Sequence, residues 1–218
     1  MAISLKGDVR RPLAADAYFE LRPLLLSGDF VAGQRLVESD LVDQLGFSRM
    51  AVREALGRLH VEGLLTKEAG KSYVVRRVPL TELEEIIETR IALETYAIRV
   101  AVSRITDEQI GELQDCLRRL EDSSGSILDF VERQAELHHK WLATSGLTYA
   151  PQFVEGLHAL SAQTRMRTAL LPGRVDASLR EHKAIVDALS GRRPEDCEHA
   201  VRGHLLQVKA AIHEALAP

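Results

Sequence analysis

The sequence predicts a mainly α-helical chain of two domains: a small helix-and-hairpin module over residues 1–78 and an all-helical bundle over 79–218. Three observations predict it. Short apolar-periodic segments, ended by Gly28, Gly46 and Gly63, lead into a glycine-centred hairpin before residue 79. From Thr81 onward every apolar pattern carries the 3.6-residue helical period. Two stretches, "TELE" and "TDEQ", match the capping box, in which a hydroxyl and a glutamate or glutamine satisfy each other's orphan backbone amides. A length of 218 residues with 45% apolar content is ample for packed cores.

In chain order, "DAYFELRPLLLSG" sets Tyr18, Leu21, Leu24 and Leu25 at helical spacing and stops at Gly28. "VESDLVDQLG" reads as a second short helix with Leu41, Val42 and Leu45 inward. Ser48 then caps a third helix to about residue 62, with Val52, Leu56 and Leu59 inward. "LLTKE" and "SYVVRRV" flank "AGK" as two brief strands around a turn. That order is a winged helix-turn-helix. Thr81 and Thr106 open helices over 81–104 and 107–122, and "SSGS" breaks the chain after them. Helices over 127–144, 150–170, 176–190 and 194–216 complete a six-helix bundle, with Pro194 suited to a first turn.

Composition narrows the function. No run approaches the roughly 18 apolar residues of a membrane span, and the N-terminus has no apolar signal-peptide core, so a cytoplasmic protein is expected. Cys116 and Cys197 fit no ligand or redox spacing and read as buried thiols. The net charge is −4, but it is unevenly spread: residues 1–78 carry 12 Lys+Arg against 10 Asp+Glu, residues 79–218 carry 16 against 22. A nucleic-acid-facing module beside an acidic domain fits that asymmetry.

The segment "GQRLVESDLVDQLGFSRMAVREALGRLHVEGLL" resembles the DNA-binding domain of GntR-type bacterial transcription regulators, and its "SR-x-x-VREAL-x-RL-x-x-EGLL" core is highly specific to them. The helical remainder is similar to the FadR-type effector domain called FCD, most like its VanR branch. "ELEEIIETRIALETYAIRVAV" matches the opening helix, and "EHKAIVDALSGRRPEDCEHAVRGHL" the closing pair. Such a resemblance implies a ligand-responsive, homodimeric regulator, a repressor by default, binding an inverted-repeat operator in double-stranded DNA. It implies no enzymatic activity and no membrane partner.

The DNA contacts that the resemblance implies are Ser48, Arg49 and Arg53 at the start of the reading helix, and Gly70 with Lys71 at the wing tip. Arginine suits the task because its planar fork pairs with guanine O6 and N7 or clamps a phosphate. Arg53 and Arg58 have a plainer reading as surface partners of Asp or Glu, which we adopt for Arg58. Met50 and Ala51 stand where relatives often carry hydroxyls.

Of eight histidines, three fall in recognisable frames: "ELHHKWLATSG", "REHKAIVDAL" and "VRGHLL". By resemblance His138, His182 and His204, one from each of three helices, converge on a divalent metal, zinc first, with nickel or another first-row ion tolerated. The fourth ligand in relatives is an Asp one turn before the first histidine. Here that position is Gln134, which offers only a neutral carbonyl oxygen. Three imidazoles still make a sound zinc site with open positions. The plainer reading is a polar, metal-free pocket. His60, His139, His158, His199 and His213 are left as non-ligands.

Arg90, Arg165 and Arg167 fall where relatives place cations that hold a small carboxylate effector, since an anion entering a dry bundle needs a paired charge. The plainer reading of Arg90 is a surface ion pair with Glu94 at four residues' spacing, and only one of Arg165 and Arg167 should face inward. A three-His metalloenzyme is the rival of another class; no HExxH-type motif accompanies it.

Overall fold

The computed structural model describes residues 14–67, 72–123 and 125–217. They fall into two compact units divided between Arg77 and Val78.

The first unit runs α1 (Ala14–Ser27), β1 (Arg35–Leu36), α2 (Glu38–Leu45), α3 (Arg49–Val61), β2 (Leu65–Lys67) and β3 (Tyr73–Val75). Helix α1 packs along α3, and their apolar stripes, Ala17, Leu21 and Leu25 with Val52, Leu56 and Leu59, form the core. Gly46 ends α2 in the left-handed region at φ 73°, where a side chain is disfavoured. Ser48 starts α3 as expected, its Oγ accepting from the Ala51 amide at 3.2 Å. Among the described residues Arg58 pairs with no carboxylate: its guanidinium lies over the Tyr18 ring, 3.8 Å from the centroid.

The sheet has three antiparallel strands in the order β1-β3-β2, with Leu36 opposite Tyr73 and Thr66 opposite Val74. Strand β1 is absent from the sequence reading because two residues cannot display a two-residue period. Gly70 and Lys71, the expected wing tip, lie outside the described residues.

The second unit is helical throughout: α4 (Leu80–Val102), α5 (Asp107–Asp122), α6 (Ile127–Ala143), α7 (Tyr149–Leu160), α8 (Ala162–Ala169), α9 (Arg174–Ser190) and α10 (Pro194–Leu216). Among the described residues that is seven helices, not six. The expected 150–170 helix breaks at Ser161, whose hydroxyl bonds the Leu157 and His158 carbonyls at 3.1 and 3.3 Å and competes with the backbone ladder. The capping box at Thr106 and Gln109 forms, with bonds of 3.2 and 3.0 Å. The one expected at Thr81 does not. The Pro79 carbonyl already accepts from Glu82 and Leu83, so the helix starts at Leu80 and Thr81 lies inside it.

Helices α4 and α10 pack along each other, α9 covers α10 and α5, and α8 lies against α10 and α6. The buried face of α4 carries Leu83, Ile87, Ile91 and Ile98, with Arg90 and Glu94 in the same stripe. Both cysteines are buried and free. Among the described residues, no helix is long and apolar enough to cross a membrane.

Candidate functional site

In the first unit α3 presents its start to solvent. Arg49 is the first residue of α3 and exposed. Arg53, one turn on, is 63% exposed, and its Nη2 donates to Glu38 Oε2 at 2.9 Å. That bond holds the Glu38 carboxyl below its usual value. Met50 points outward and Ala51 is buried, so of those two positions only Met50 faces solvent.

In the second unit, α4, α6, α7, α9, α10 and the short α8 line a cavity of about 40 Å³. At about 10–15 Å³ per water, that is room for roughly three water-sized groups. His138 on α6 and His204 on α10 line it, with Arg90 from α4, Gln134 from α6 and Arg165 from α8. His182 on α9 stands against both other imidazoles. All three rings are at most 3% exposed. The ring centroids lie 4.5 to 5.2 Å apart, and His138 Nε2 is 3.0 Å from His182 Nε2. Two nitrogens sharing one first-row ion at about 2.1 Å stand about 3.0 Å apart at a right angle and about 3.4 Å apart in a tetrahedron. The spacing suits a metal.

Two of the three imidazoles are steered by a partner behind them. His182 Nδ1 donates to the Ser178 carbonyl one turn earlier, at 2.6 Å. His204 Nδ1 donates to Glu181 Oε2 at 2.7 Å, and Arg174 holds both Glu181 oxygens at 2.8 and 2.9 Å. A hydrogen on Nδ1 leaves Nε2 as the lone-pair nitrogen, and such outer contacts fix the ligand-competent tautomer. His138 Nδ1 faces Glu94 Oε2 at 3.7 Å, too far for a hydrogen bond.

Burial holds the His138 imidazole down to about 4, against the opposing pull of Glu94. Burial also pushes His182 well below its ordinary value. At neutral pH both are uncharged, which ligation requires. The donor set fits a first-row divalent ion, with one reservation of chemistry: Gln134 spends its Nε2 on Ser178 Oγ at 3.2 Å and has only a neutral oxygen left to offer.

Arg90 does pair with Glu94, at 2.7 Å, but inside the core rather than on the helix surface. Arg165 donates from Nη1 to the His158 carbonyl at 2.7 Å, while its buried Nε has no partner among the described residues. Burial, then the nearby Arg90 charge, pushes Arg165 down to about 10. Arg167 is not brought to the cavity. Two residues on from Arg165, it points to the exposed side of α8.

Sequence reasoning missed Glu94 as a core group, and Glu181, Arg174 and Ser178 altogether. Ser178 could have been found from its four-residue spacing to His182; Glu181 reaches His204 across two helices and leaves no local signal. His158, set aside as a non-ligand, lines the cavity 3.6 Å from Glu94. Among the others, His60 bonds the Leu65 carbonyl, His213 pairs with Glu84, and His139 and His199 are exposed.

A winged helix-turn-helix joined to a helical unit with such a cavity is the plan of a ligand-responsive regulator, and comparison with known proteins agrees. Residues 13–75 match the bacterial regulatory proteins of the gntR family, and residues 85–207 match the FCD domain. The chain is 30% identical to the Nta operon transcriptional regulator of Aminobacter aminovorans, over 84% of this chain and 86% of that protein. It is 28% identical to the HTH-type transcriptional repressor GlaR of Escherichia coli, over 93% and 96%. The solved structure of E. coli McbR/YncC superimposes with a TM-score of 0.84 at 24% identity, covering 92% of this chain and 97% of that one. The chain belongs to the GntR family of transcription regulators, with an FCD effector domain. It is a DNA-binding regulator, not an enzyme.

Proposed function

We propose that the protein is a homodimeric repressor, released from an inverted-repeat operator by a small carboxylate bound in the helical unit beside a divalent metal. The observation that carries the reading is the convergence of three buried imidazoles, His138, His182 and His204, two of which line a cavity also lined by the guanidiniums of Arg90, Arg165 and Arg174. Such a triad would hold zinc, or nickel or another first-row ion, and a bound ion supplies a Lewis-acidic centre with open positions for a carboxylate oxygen. Arg90 and Arg165 add charge-assisted donors for the same anion, while Arg167 faces away from it. Gln134 weakens the metal side of the site without removing it. The effector must favour one dimer arrangement over another to shift operator binding.

At the DNA end, Ser48, Arg49 and Arg53 meet the major groove, with Gly70 and Lys71 as the wing tip. Arg53 exchanges Glu38 for a phosphate or base on docking. Arg49→Ala should abolish specific binding in an operator shift with competitor DNA and leave the thermal transition unchanged; retained binding would move the reading surface elsewhere.

Elemental analysis of untagged, chelator-free protein tests the metal. About one zinc or nickel per chain is expected in the protein as purified, lost or much reduced in His182→Ala. A second reading, a metal-free pocket, draws on Gln134 and on the direct 3.0 Å bond between His138 and His182. No metal in the protein, with carboxylates still raising the melting temperature through Arg90 and Arg165, would favour it.

A further inference from the structure

Beside the three-histidine cluster, on the other side of the His138 ring, lies a second convergence of donors. Glu94, His138 and His158 each present one ligand atom, all within 4.8 Å of one another. Glu94 Oε2, His138 Nδ1 and His158 Nε2 are buried and have no hydrogen-bond partner among the described residues. A cluster of unpaired buried polar atoms is costly unless something occupies their lone pairs.

The hydrogen-bond directions sharpen the point. His182 Nδ1 lies 2.6 Å from a backbone carbonyl, which can only accept, so Nδ1 carries the hydrogen and His182 Nε2 is an acceptor. The 3.0 Å bond between the two Nε2 atoms therefore has its hydrogen on His138. A neutral His138 protonated at Nε2 is bare at Nδ1. That lone pair faces a carboxylate oxygen, Glu94 Oε2, at 3.7 Å. Two acceptors pointed at each other in a dry core repel, and a cation between them turns the repulsion into ligation. Glu94 can spare Oε2, because Arg90 holds the other oxygen, Oε1, at 2.7 Å.

We propose that Glu94, His138 and His158 form a second seat for a divalent cation, used in place of the three-histidine seat rather than alongside it. The exclusion follows from His138, which serves one seat through Nε2 and the other through Nδ1. An ion on Nε2 sends the ring hydrogen to Nδ1, where it points at Glu94 and closes the second seat. An ion on Nδ1 leaves the hydrogen on Nε2, in the bond to His182 that the structure shows. Two imidazoles and a carboxylate with open positions suit octahedral ions such as Mn²⁺, Fe²⁺ or Co²⁺, whereas three imidazoles suit zinc. The second seat also supplies the carboxylate that Gln134 withholds from the first. It shares His138 with the proposed triad and does not require the triad to hold an ion.

The test is Co²⁺ titration of the full-length protein, followed by the visible absorption of the bound ion. The unchanged chain should saturate at one Co²⁺. His204→Ala should still take one Co²⁺, now on the second seat and at least about tenfold more weakly, since losing a ligand costs the first seat no less than losing an outer contact would. Adding either Glu94→Gln or His158→Leu should abolish that residual binding, while His158→Leu in the unchanged chain should still bind one ion. Residual binding indifferent to both additions overturns the proposal, as does a folded His204→Ala that binds nothing. Saturation at two ions overturns the exclusion. Circular dichroism checks each fold, and His204→Gln replaces His204→Ala if the smaller residue unfolds the bundle. Failure of the triad reads differently: His182→Ala would then bind metal as well as the unchanged chain does.

Discussion

The two units each contain an arginine–glutamate pair, and the pairs live under opposite rules. Arg53 and Glu38 meet at 2.9 Å on the surface of the winged unit, where the arginine is 63% exposed. Arg90 and Glu94 meet at 2.7 Å in the helical unit, at 3% and 0% exposure. Water screens the first pair and leaves it weak. The second has no water to fall back on, so each charge is needed to make the other tolerable. The surface pair is exchangeable, as the DNA contact proposed for Arg53 requires. The buried pair is an obligation of the fold. It places fixed charge beside the cavity.

The comparison is broken most forcefully by Glu94→Ala. Stranding the Arg90 guanidinium in the core should cost about 3–5 kcal/mol, read as a lower denaturant midpoint; a loss near zero would show that water reaches Arg90. Next in size is the response to acid. His138 is held down to about 4 in the folded chain, so the unfolded chain binds the extra proton below about 6.5. Stability of the chelator-treated protein should therefore fall as pH drops from about 6.5 towards 4, by on the order of 3 kcal/mol from this group alone. A flat profile over that window in urea titrations would contradict the burial of His138. The smallest stability effect belongs to Glu38→Gln, about 0–1 kcal/mol. Its consequence lies elsewhere: with Arg53 released, operator affinity should rise in a shift assay, and an unchanged affinity would remove Arg53 from the interface.

What the sequence disclosed depended on range. The Ser48 cap, the Thr106 box and the α4 apolar stripe are local, and each is written within a few residues. Strand β1 depends on β3, which begins 37 residues after Leu36 in the register Leu36 to Tyr73. The Thr81 box carries the right residues, yet Pro79 starts the helix first. Ser161 looks like an ordinary helix residue until its hydroxyl turns to the carbonyls behind it. In the cavity, family resemblance pointed to three histidines, and the structure brings them together. The Glu181 support of His204 and the placing of His158 against Glu94 are tertiary facts with no sequence period to announce them.

His138, His182 and His204 sit on α6, α9 and α10, and the first two are 44 residues apart. No local segment of the unfolded chain can gather them. An ion held by all three is therefore held by the folded chain alone, and its binding energy adds to the energy of folding. At a free concentration one hundred times its dissociation constant, it would add about 2.7 kcal/mol. The supply of that ion would then govern how many intact copies survive proteolysis, separately from which of them are on the operator.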